Sequence, residues 1–201
     1  MKKYRVNEIF YSIQGEGHNT GRAALFVRMS GCNLKCPFCD TDHHPSVDMT
    51  ANEICEEAVR QTGGTEGILV VLTGGEPTLQ VDEPLVEALH SAIPHCEIAI
   101  ETNGTHPVAK DIDWITLSPK NLFVSSADII LLKADELKVV FDGIHPIPSY
   151  DKIDCHCRYV QPCDTGDDTR NADIINQTID FVKHNPQWTI SLQTHKFLQV
   201  K

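Results

Sequence analysis

The chain has 201 residues, 41% of them apolar, and a formal net charge of −11. Its length and apolar fraction are those of an ordinary globular protein, and we expect a single domain over residues 1–201. The sequence has no apolar run long enough to cross a bilayer, no apolar signal-peptide core and no basic stripe, which argues against a membrane or direct nucleic-acid partner. We therefore expect a cytoplasmic protein that acts on a small molecule or binds another protein.

The predicted elements alternate between strands and helices along most of the chain. Short apolar runs that end in polar turns predict strands, and apolar positions three and four apart predict helices. Thr50 and Glu53 have the spacing of a capping box, which predicts that the first helix begins there. In chain order the sequence predicts strands at 6–11 and 24–30, an irregular loop at 31–47, a helix after Thr50, a strand at 68–72, a helix at 84–92, strands at 97–100, 114–117, 137–141 and 158–160, a helix at 171–184 and a strand at 188–192.

This alternation predicts an α/β fold with a parallel sheet. A complete eight-stranded barrel typically takes about 250 residues, more than this chain has. We therefore expect a partial, TIM-like barrel of parallel strands with an N-terminal strand extension. The polar motifs come directly after predicted strands, where parallel α/β folds build their active sites, and this placement predicts an enzyme.

A cysteine triplet stands in the predicted loop. Cys32, Cys36 and Cys39 lie within eight residues, and without a secretion signal such a cluster indicates a metal or catalytic site more than disulfides. Structural zinc sites usually have four ligands, and His43 or His44 could complete one. Alternatively, three thiolates can hold a four-iron cluster and leave one iron open to another ligand.

The remaining cysteines are interpreted differently. Cys155, Cys157 and Cys163 form a second group, for which incidental thiols are favoured over a second metal site. Cys55 lies on a predicted helix and Cys96 precedes a predicted strand, and both are interpreted as small core residues.

The triplet and a later turn resemble motifs of one enzyme superfamily. The spacing C-x3-C-x2-C, with Phe38 directly before the last cysteine, is similar to that of radical S-adenosylmethionine enzymes. The turn Thr73-Gly74-Gly75-Glu76-Pro77 resembles the GGE motif of the same superfamily. The resemblance implies that the three thiolates hold a [4Fe-4S] cluster, and that its open iron binds S-adenosylmethionine, whose cleavage supplies a radical.

Several residues after the predicted strands are candidates for contacts to S-adenosylmethionine. Glu76 can accept hydrogen bonds from its amino group, Lys120 can pair with its carboxylate, and Ser118 can bond its ribose. In isolation, the turns at 118–120 and 161–162 would be interpreted as surface turns. The predicted cofactor contacts are Phe38, Gly75, Glu76, Ser118, Pro119, Lys120 and Gln161.

Further segments show which family within this superfamily the chain resembles. The residues FYSIQGEG at 10–17, FVR at 26–28, CDT at 39–41, ETNG at 101–104 and QTHK at 193–196 are similar to those of 7-carboxy-7-deazaguanine synthases. The resemblance implies conversion of 6-carboxy-5,6,7,8-tetrahydropterin to 7-carboxy-7-deazaguanine with ring contraction and loss of ammonia, for queuosine and other deazapurines. It also implies a magnesium ion, a homodimer, and a flavodoxin or ferredoxin as the electron donor.

The same resemblance assigns substrate contacts, for which physical reasons can be given. The planar guanidinium of Arg28 suits a carboxylate, and Gln14 and Glu16 can recognise the amide-and-amine edge of a pterin. The hydroxyl of Thr41 is a hard oxygen ligand that suits magnesium. The predicted substrate contacts are Ile13, Gln14, Gly15, Glu16, Arg28, Thr73, His195 and, through its terminal carboxylate, Lys201.

Two other functions remain open at this point. A radical activase that installs a glycyl radical on a partner protein shares the cysteine spacing and a partial barrel, and a zinc-binding interaction module would need no catalysis. Consumption of the carboxypterin without a protein substrate would exclude the activase. Iron, rather than stoichiometric zinc, in anaerobically purified protein would exclude the zinc-binding module.

Overall fold

The computed structural model describes residues 2–39, 41–42 and 46–201. Asp40 of the Cys-Asp-Thr motif and the possible zinc ligands His43 and His44 lie outside the described residues. Across the described ranges, no helix is both long enough and apolar enough to span a membrane.

The strands of the described chain form one nine-stranded sheet. In chain order they are β1 (Tyr4–Ile13), β2 (Ala23–Met29), β3 (Val47–Met49), β4 (Leu69–Gly74), β5 (Glu97–Thr102), β6 (Trp114–Leu117), β7 (Glu136–Phe141), β8 (Cys157–Pro162) and β9 (Thr189–Ile190). They lie side by side in the order β3-β1-β2-β4-β5-β6-β7-β8-β9. β1 pairs antiparallel with β2 and β3, whereas the pairs from β2 to β9 are parallel. This open, mainly parallel sheet confirms the expected partial barrel with an N-terminal strand extension.

The helices begin and end at recognisable signals. They are α1 (Ala51–Thr62), a 3₁₀ turn (Pro77–Leu79), α2 (Glu83–Ala92), α3 (Asp168–His184) and α4 (Thr194–Leu198). The predicted capping box is present: the Thr50 hydroxyl accepts the N–H of Glu53, and the Glu53 carboxylate accepts the N–H of Thr50 at 2.7 Å. Each side chain satisfies a backbone donor that the helix itself leaves unpaired.

β4 is buried on both faces, as its continuous apolar run predicts. Val70 and Leu72 pack in the cluster that includes buried residues of α1 and α2, whereas Leu69 and Val71 pack on the opposite face with Phe26. This alternation follows from the two-residue period of a strand. It gives the sheet one face covered by helices and another that continues into the cavity described below.

α3 buries a narrower stripe than the sequence predicts. Ile174 and Thr178 are buried and Val182 packs against the core, but Ile175 and Ile179 are 37% and 39% exposed. The helical period of the sequence predicts all five on the inner side of the helix. One stripe of residues four apart is enough to cover the sheet here, so the neighbouring isoleucines turn toward solvent.

Other differences occur where local patterns are weak. α3 begins at Asp168, three residues before the predicted start, because the Asp167 carboxylate accepts the N–H of Arg170 and caps the helix. β3 is an additional strand that begins at Val47, the last residue of the predicted irregular loop, and β9 is shorter than predicted. The 3₁₀ turn and the five-residue α4 were not predicted, since neither is long enough to show a helical period.

Candidate active site

A cavity of about 720 Å³ lies at the carboxyl ends of the parallel strands. Residues at the ends of β4, β5 and β8 and in the loop after β6 line it, which is the edge where such folds place active sites. Pro119 does not line it. The structure brings the other predicted site residues together around this cavity: Ile13, Gln14, Gly15, Glu16, Arg28, Cys32, Cys36, Phe38, Cys39, Thr41, Thr73, Gly75, Glu76, Ser118, Lys120, Gln161, His195 and Lys201.

The cysteine loop packs directly against the turn that follows β4. The N–H of Glu76 donates to the carbonyl of Gly31 at 2.9 Å. A Cβ on Gly75 would lie 2.0 Å from that carbonyl oxygen, so this approach of two backbones requires glycine. The GGE turn therefore supports the cysteine loop as well as lining the cavity.

The three predicted cluster ligands are free thiols that face the same cavity. Burial raises the pKa of Cys32 and Cys36, the proximity of Cys39 raises it further, and the charge of Lys120 opposes the rise. Thiolates that repel one another in a partly buried site fit a cationic metal cluster, because a bound cation stabilises the deprotonated form. The residues present therefore fit an iron–sulfur cluster held at three corners.

Of the second cysteine group, Cys163 lines the cavity, whereas Cys155 and Cys157 do not. Cys157 contacts the backbone carbonyl of Asp135, and Cys163 is buried. In the part of the chain that the structure describes, no three His, Cys, Asp or Glu side chains surround a single ion position. That finding covers the cysteine triplet as well, whose thiols line the wall of a cavity instead of converging on one ion.

Glu76 is 1% exposed, and its carboxylate already has protein donors. Thr102 Oγ1 donates to Oε1 at 2.7 Å, and the N–H of Asn103 donates to Oε2 at 2.7 Å. Oε1 also accepts the N–H of Thr78 and so caps the 3₁₀ turn. Glu76 is thus held rigidly at the cavity wall, where a ligand amino group would add to an existing set of donors.

Lys120 and Ser118 contact each other at the end of β6. The Lys120 ammonium donates to the Ser118 hydroxyl at 2.6 Å and to its carbonyl at 2.8 Å. Burial lowers the pKa of Lys120, and nearby Cys36 and Glu76 oppose that change with their negative charges. A cation aimed into the cavity between the cysteine loop and Glu76 suits a ligand carboxylate.

A buried ion-pair network forms another part of the cavity wall. The ammonium of Lys138 donates to Glu16 Oε2 at 2.6 Å and to Glu101 Oε1 at 3.4 Å. The Thr73 hydroxyl donates to Glu101 Oε2 at 2.9 Å, and the Gln14 amide donates to Glu101 Oε1 at 3.3 Å. The network joins the loop after β1 to β4, β5 and β7, so it fixes the carboxylates that face the cavity.

The predicted carboxylate-binding residue already has an acidic partner. Arg28 Nε donates to Glu8 Oε1 at 2.9 Å, and the Lys201 ammonium pairs with the other oxygen of Glu8. Arg28 and Lys201 both lie over the ring of Phe10, which stacks on Phe26 at 4.8 Å. A substrate carboxylate at Arg28 would therefore compete with Glu8, or share the two cations with it.

The C-terminal segment closes one side of the cavity. The N–H and hydroxyl of Thr194 both donate to the carbonyl of Gly15, at 2.9 and 3.0 Å. The Gln193 amide donates to Glu16 Oε1 at 2.9 Å. These bonds hold α4 and His195 against the loop after β1. A main-chain carboxylate oxygen of Lys201 accepts a hydrogen bond from the Ser12 hydroxyl at 2.7 Å, so the predicted terminal contact already has a protein partner.

The roles of Lys138 and Glu101 are not among the sequence predictions. Glu101 belongs to the ETNG motif, to which no individual contact is assigned, and Lys138 belongs to a predicted strand. A signal was present: Glu136 and Lys138 are charged residues two apart in an otherwise apolar strand, so both project from the same face. Charges at that spacing in a buried strand indicate a polar interior site.

Comparisons with known proteins agree with this geometry. The Radical SAM superfamily matches residues 26–122. The 7-carboxy-7-deazaguanine synthase of Bacteroides thetaiotaomicron is 42% identical over 197 residues, 98% of both chains, and that of Burkholderia multivorans is 41% identical over 98% of this chain and 99% of its own. The crystal structure of QueE from Escherichia coli superposes with a TM-score of 0.73 and 26% identity over 95% of this chain and 94% of its own. The chain therefore belongs to the 7-carboxy-7-deazaguanine synthase family of radical S-adenosylmethionine enzymes.

Proposed function

We propose that this chain converts 6-carboxy-5,6,7,8-tetrahydropterin to 7-carboxy-7-deazaguanine with loss of ammonia, in the biosynthesis of queuosine and related deazapurines. One observation carries the proposal: the residues of the cluster motif, the GGE turn and the substrate motif line one cavity. Its volume of about 720 Å³ is in the range of small-molecule sites and suits a cofactor and a bicyclic substrate side by side.

The cysteine end of the cavity would hold the cluster and S-adenosylmethionine. When bound, they supply the radical chemistry that removes a hydrogen atom from the substrate. Cys32, Cys36 and Cys39 would anchor the cluster. Lys120 would pair with the carboxylate of S-adenosylmethionine, and Glu76, fixed by its backbone donors, would accept from its amino group.

The opposite wall would orient the pterin. Arg28 would bind the carboxylate, since its guanidinium presents a planar pair of donors. Glu16 and Glu101 are acceptors for the amine and amide N–H groups of the ring, and both line the cavity. His195 and the segment around it would exclude water from the bound substrate, because they close the cavity beside Glu16.

Magnesium would bind between the protein and the substrate. Thr41 lines the cavity directly after the cysteine triplet and offers one hard oxygen, so the substrate carboxylate and water would supply the rest of an octahedral shell. The family resemblance supports a homodimer, reduction by flavodoxin or ferredoxin, and a cytoplasmic location as further parts of the proposal.

The test is anaerobic turnover of the reconstituted holoenzyme with the carboxypterin, S-adenosylmethionine, magnesium and a chemical reductant, followed by mass spectrometry. The expected products are 7-carboxy-7-deazaguanine and ammonia, formed without any protein substrate. Reactions that lack the carboxypterin serve as controls for uncoupled cleavage of S-adenosylmethionine. Cleavage with no pterin product would leave a radical S-adenosylmethionine enzyme with a different substrate, such as the activase alternative.

A further inference from the structure

Lys138 is a buried cation in β7, a strand that is apolar apart from Lys138 and Glu136. It is 5% exposed, and its ammonium contacts Glu16 at 2.6 Å and Glu101 at 3.4 Å. A buried ammonium is unfavourable unless charged partners compensate it, and an apolar residue would serve the core of β7 better. The position of Lys138 therefore points to a role in the cavity that it lines, and not to a role in folding alone.

The lysine acts on two carboxylates that come from distant parts of the chain. Glu16 lies in the loop after β1 and Glu101 lies in β5, and Lys138 stands between them. Burial by itself raises the pKa of Glu16, but the charge and hydrogen bond of Lys138 lower it by more, so it falls below its ordinary value. Burial lowers the pKa of Lys138, but Glu101, Glu16 and Glu136 raise it by more, so the lysine stays protonated.

We infer that Lys138 is a positioning residue that holds Glu16 ionised and orients both Glu16 and Glu101, so that both accept hydrogen bonds from the amine and amide edge of the pterin. This inference rests on the proposed function. Without the cation, two carboxylates in one partly buried site would share a proton, because like charges cannot both ionise at low cost. A protonated carboxyl group presents a donor where the substrate also presents a donor.

Other charged groups also surround this pair. Glu136 lies two residues from Lys138 on the same face of β7, and Lys120 acts on Lys138 from the end of β6. His195 acts on Glu16 from α4. None of these groups replaces the direct hydrogen bond from Lys138 to Glu16, so removal of the lysine should affect the two carboxylates more than any other group.

The test compares Lys138→Met, Lys138→Arg and the double variant Glu16→Gln/Lys138→Met with wild type. Lys183→Met is the matched control, since Lys183 is 69% exposed on α3. Each reconstituted holoenzyme is assayed for kcat and KM of the carboxypterin from pH 6 to 9, for iron content, and for cleavage of S-adenosylmethionine without pterin. Iron content and uncoupled cleavage should stay at wild-type values in every variant, which shows that the cluster end is intact.

For Lys138→Met we expect kcat/KM at neutral pH to fall by about 100-fold. The acidic limb of the pH profile of kcat/KM should move to higher pH by about 1 to 3 pH units, because one carboxylate of this variant is protonated over that range. Lys138→Arg should retain the wild-type pH dependence. The double variant should lose the displaced limb, because Glu101 is then the only one of the two pterin-facing carboxylates that remains.

Two results would overturn the inference. The first is a pH profile of kcat/KM for Lys138→Met that is parallel to that of wild type at every pH, whether or not the rate falls. The second is kcat and KM values for Lys138→Met that match those of Lys183→Met. Failure of the proposed function looks different, because wild-type enzyme itself would then not consume the carboxypterin.

Discussion

Gly15 and His195 are in direct contact: a Cβ on Gly15 would lie 2.2 Å from Nδ1 of His195 and 2.8 Å from its backbone nitrogen. The carbonyl of Gly15 also accepts two hydrogen bonds from Thr194. The loop after β1 and the C-terminal segment thus meet through a surface that has no room for a side chain. Glu16 is next to this contact and faces the cavity, so its position depends on it.

Gly15→Ala should therefore displace the C-terminal segment from the cavity. We expect kcat/KM for the carboxypterin to fall on the order of 100-fold, since a misplacement of about 1 Å in a substrate-binding wall has effects of this size. Cleavage of S-adenosylmethionine without pterin should be unchanged, because Gly15 contacts the C-terminal segment, whereas the GGE turn supports the cysteine loop. Steady-state kinetics and product analysis of the holoenzyme measure both quantities.

The control is His195→Ala, alone and combined with Gly15→Ala. If the added methyl group acts through the imidazole, the loss of kcat/KM in the double variant should be smaller than the two single losses combined, since the effects of substituting contacting residues are not additive. A Gly15→Ala enzyme with wild-type kinetics would contradict the importance of this contact.

Cys36→Ala should abolish cleavage of S-adenosylmethionine while leaving the fold largely intact. The thiolate is one of three proposed anchors of the cluster, and two anchors hold a four-iron cluster poorly. Cys55→Ala is the matched control, because Cys55 packs against the helix-side core away from the cavity. Iron content per chain and circular dichroism, measured in parallel, distinguish lost ligation from misfolding. Retained cleavage in the Cys36 variant would mean that another residue is the ligand.

The parts of the site that sequence predicts well are those encoded over a short stretch. The three cysteines fall within eight residues, and the apolar run before the GGE turn specifies both a buried strand and the place where it ends. Such patterns contain their own structural context, so the sequence alone predicts a metal-binding or catalytic loop at Cys32 and a turn at Gly75, and the family resemblance adds the ligands they would hold. The parallel sheet likewise follows from the alternation of strands and helices.

The remaining features depend on partners that are distant in sequence. Glu16 and Lys138 are 122 residues apart, and the local sequence around either residue does not predict contact with the other. Whether Arg28 is free or paired depends on Glu8, which lies opposite it across the β1–β2 pair. The exposure of Ile175 depends on how much of the sheet α3 has to cover. Each of these is decided by packing, which a local pattern does not contain.

Thr41→Ala should weaken the response to magnesium. If the hydroxyl is a ligand, half-maximal activity should require on the order of tenfold more magnesium, because a lost oxygen ligand leaves the octahedral shell to water alone. Thr41→Ser keeps the hydroxyl and should respond as wild type does. The measurement is the rate of product formation over a magnesium titration at saturating S-adenosylmethionine. An alanine variant whose titration matches the serine variant would show that Thr41 is not a ligand.

Glu136→Gln should stabilise the protein at high pH and much less at low pH. Glu136 is 2% exposed, and its Oε1 is a buried side-chain atom without a hydrogen-bond partner among the described residues. Burial raises its pKa, and the charge of Lys138 only partly opposes that rise. A carboxyl group whose pKa is higher in the folded than in the unfolded state loses stability as the pH rises from the ordinary value of about 4.3 toward the raised one.

The neutral amide removes this dependence. At pH 8 we expect Glu136→Gln to unfold about 2–4 °C above wild type, which corresponds to about 1 kcal/mol for a chain of this size, and the difference should shrink at pH 5. Glu66→Gln is the control, since Glu66 is exposed. Its substitution should leave the difference in unfolding temperature between pH 8 and pH 5 unchanged. Differential scanning calorimetry of the anaerobic holoenzymes at one scan rate gives the comparison. A destabilised Glu136→Gln protein at pH 8 would show that the ionised carboxylate is needed for its bonds to His18 and Thr116 more than its burial disfavours it.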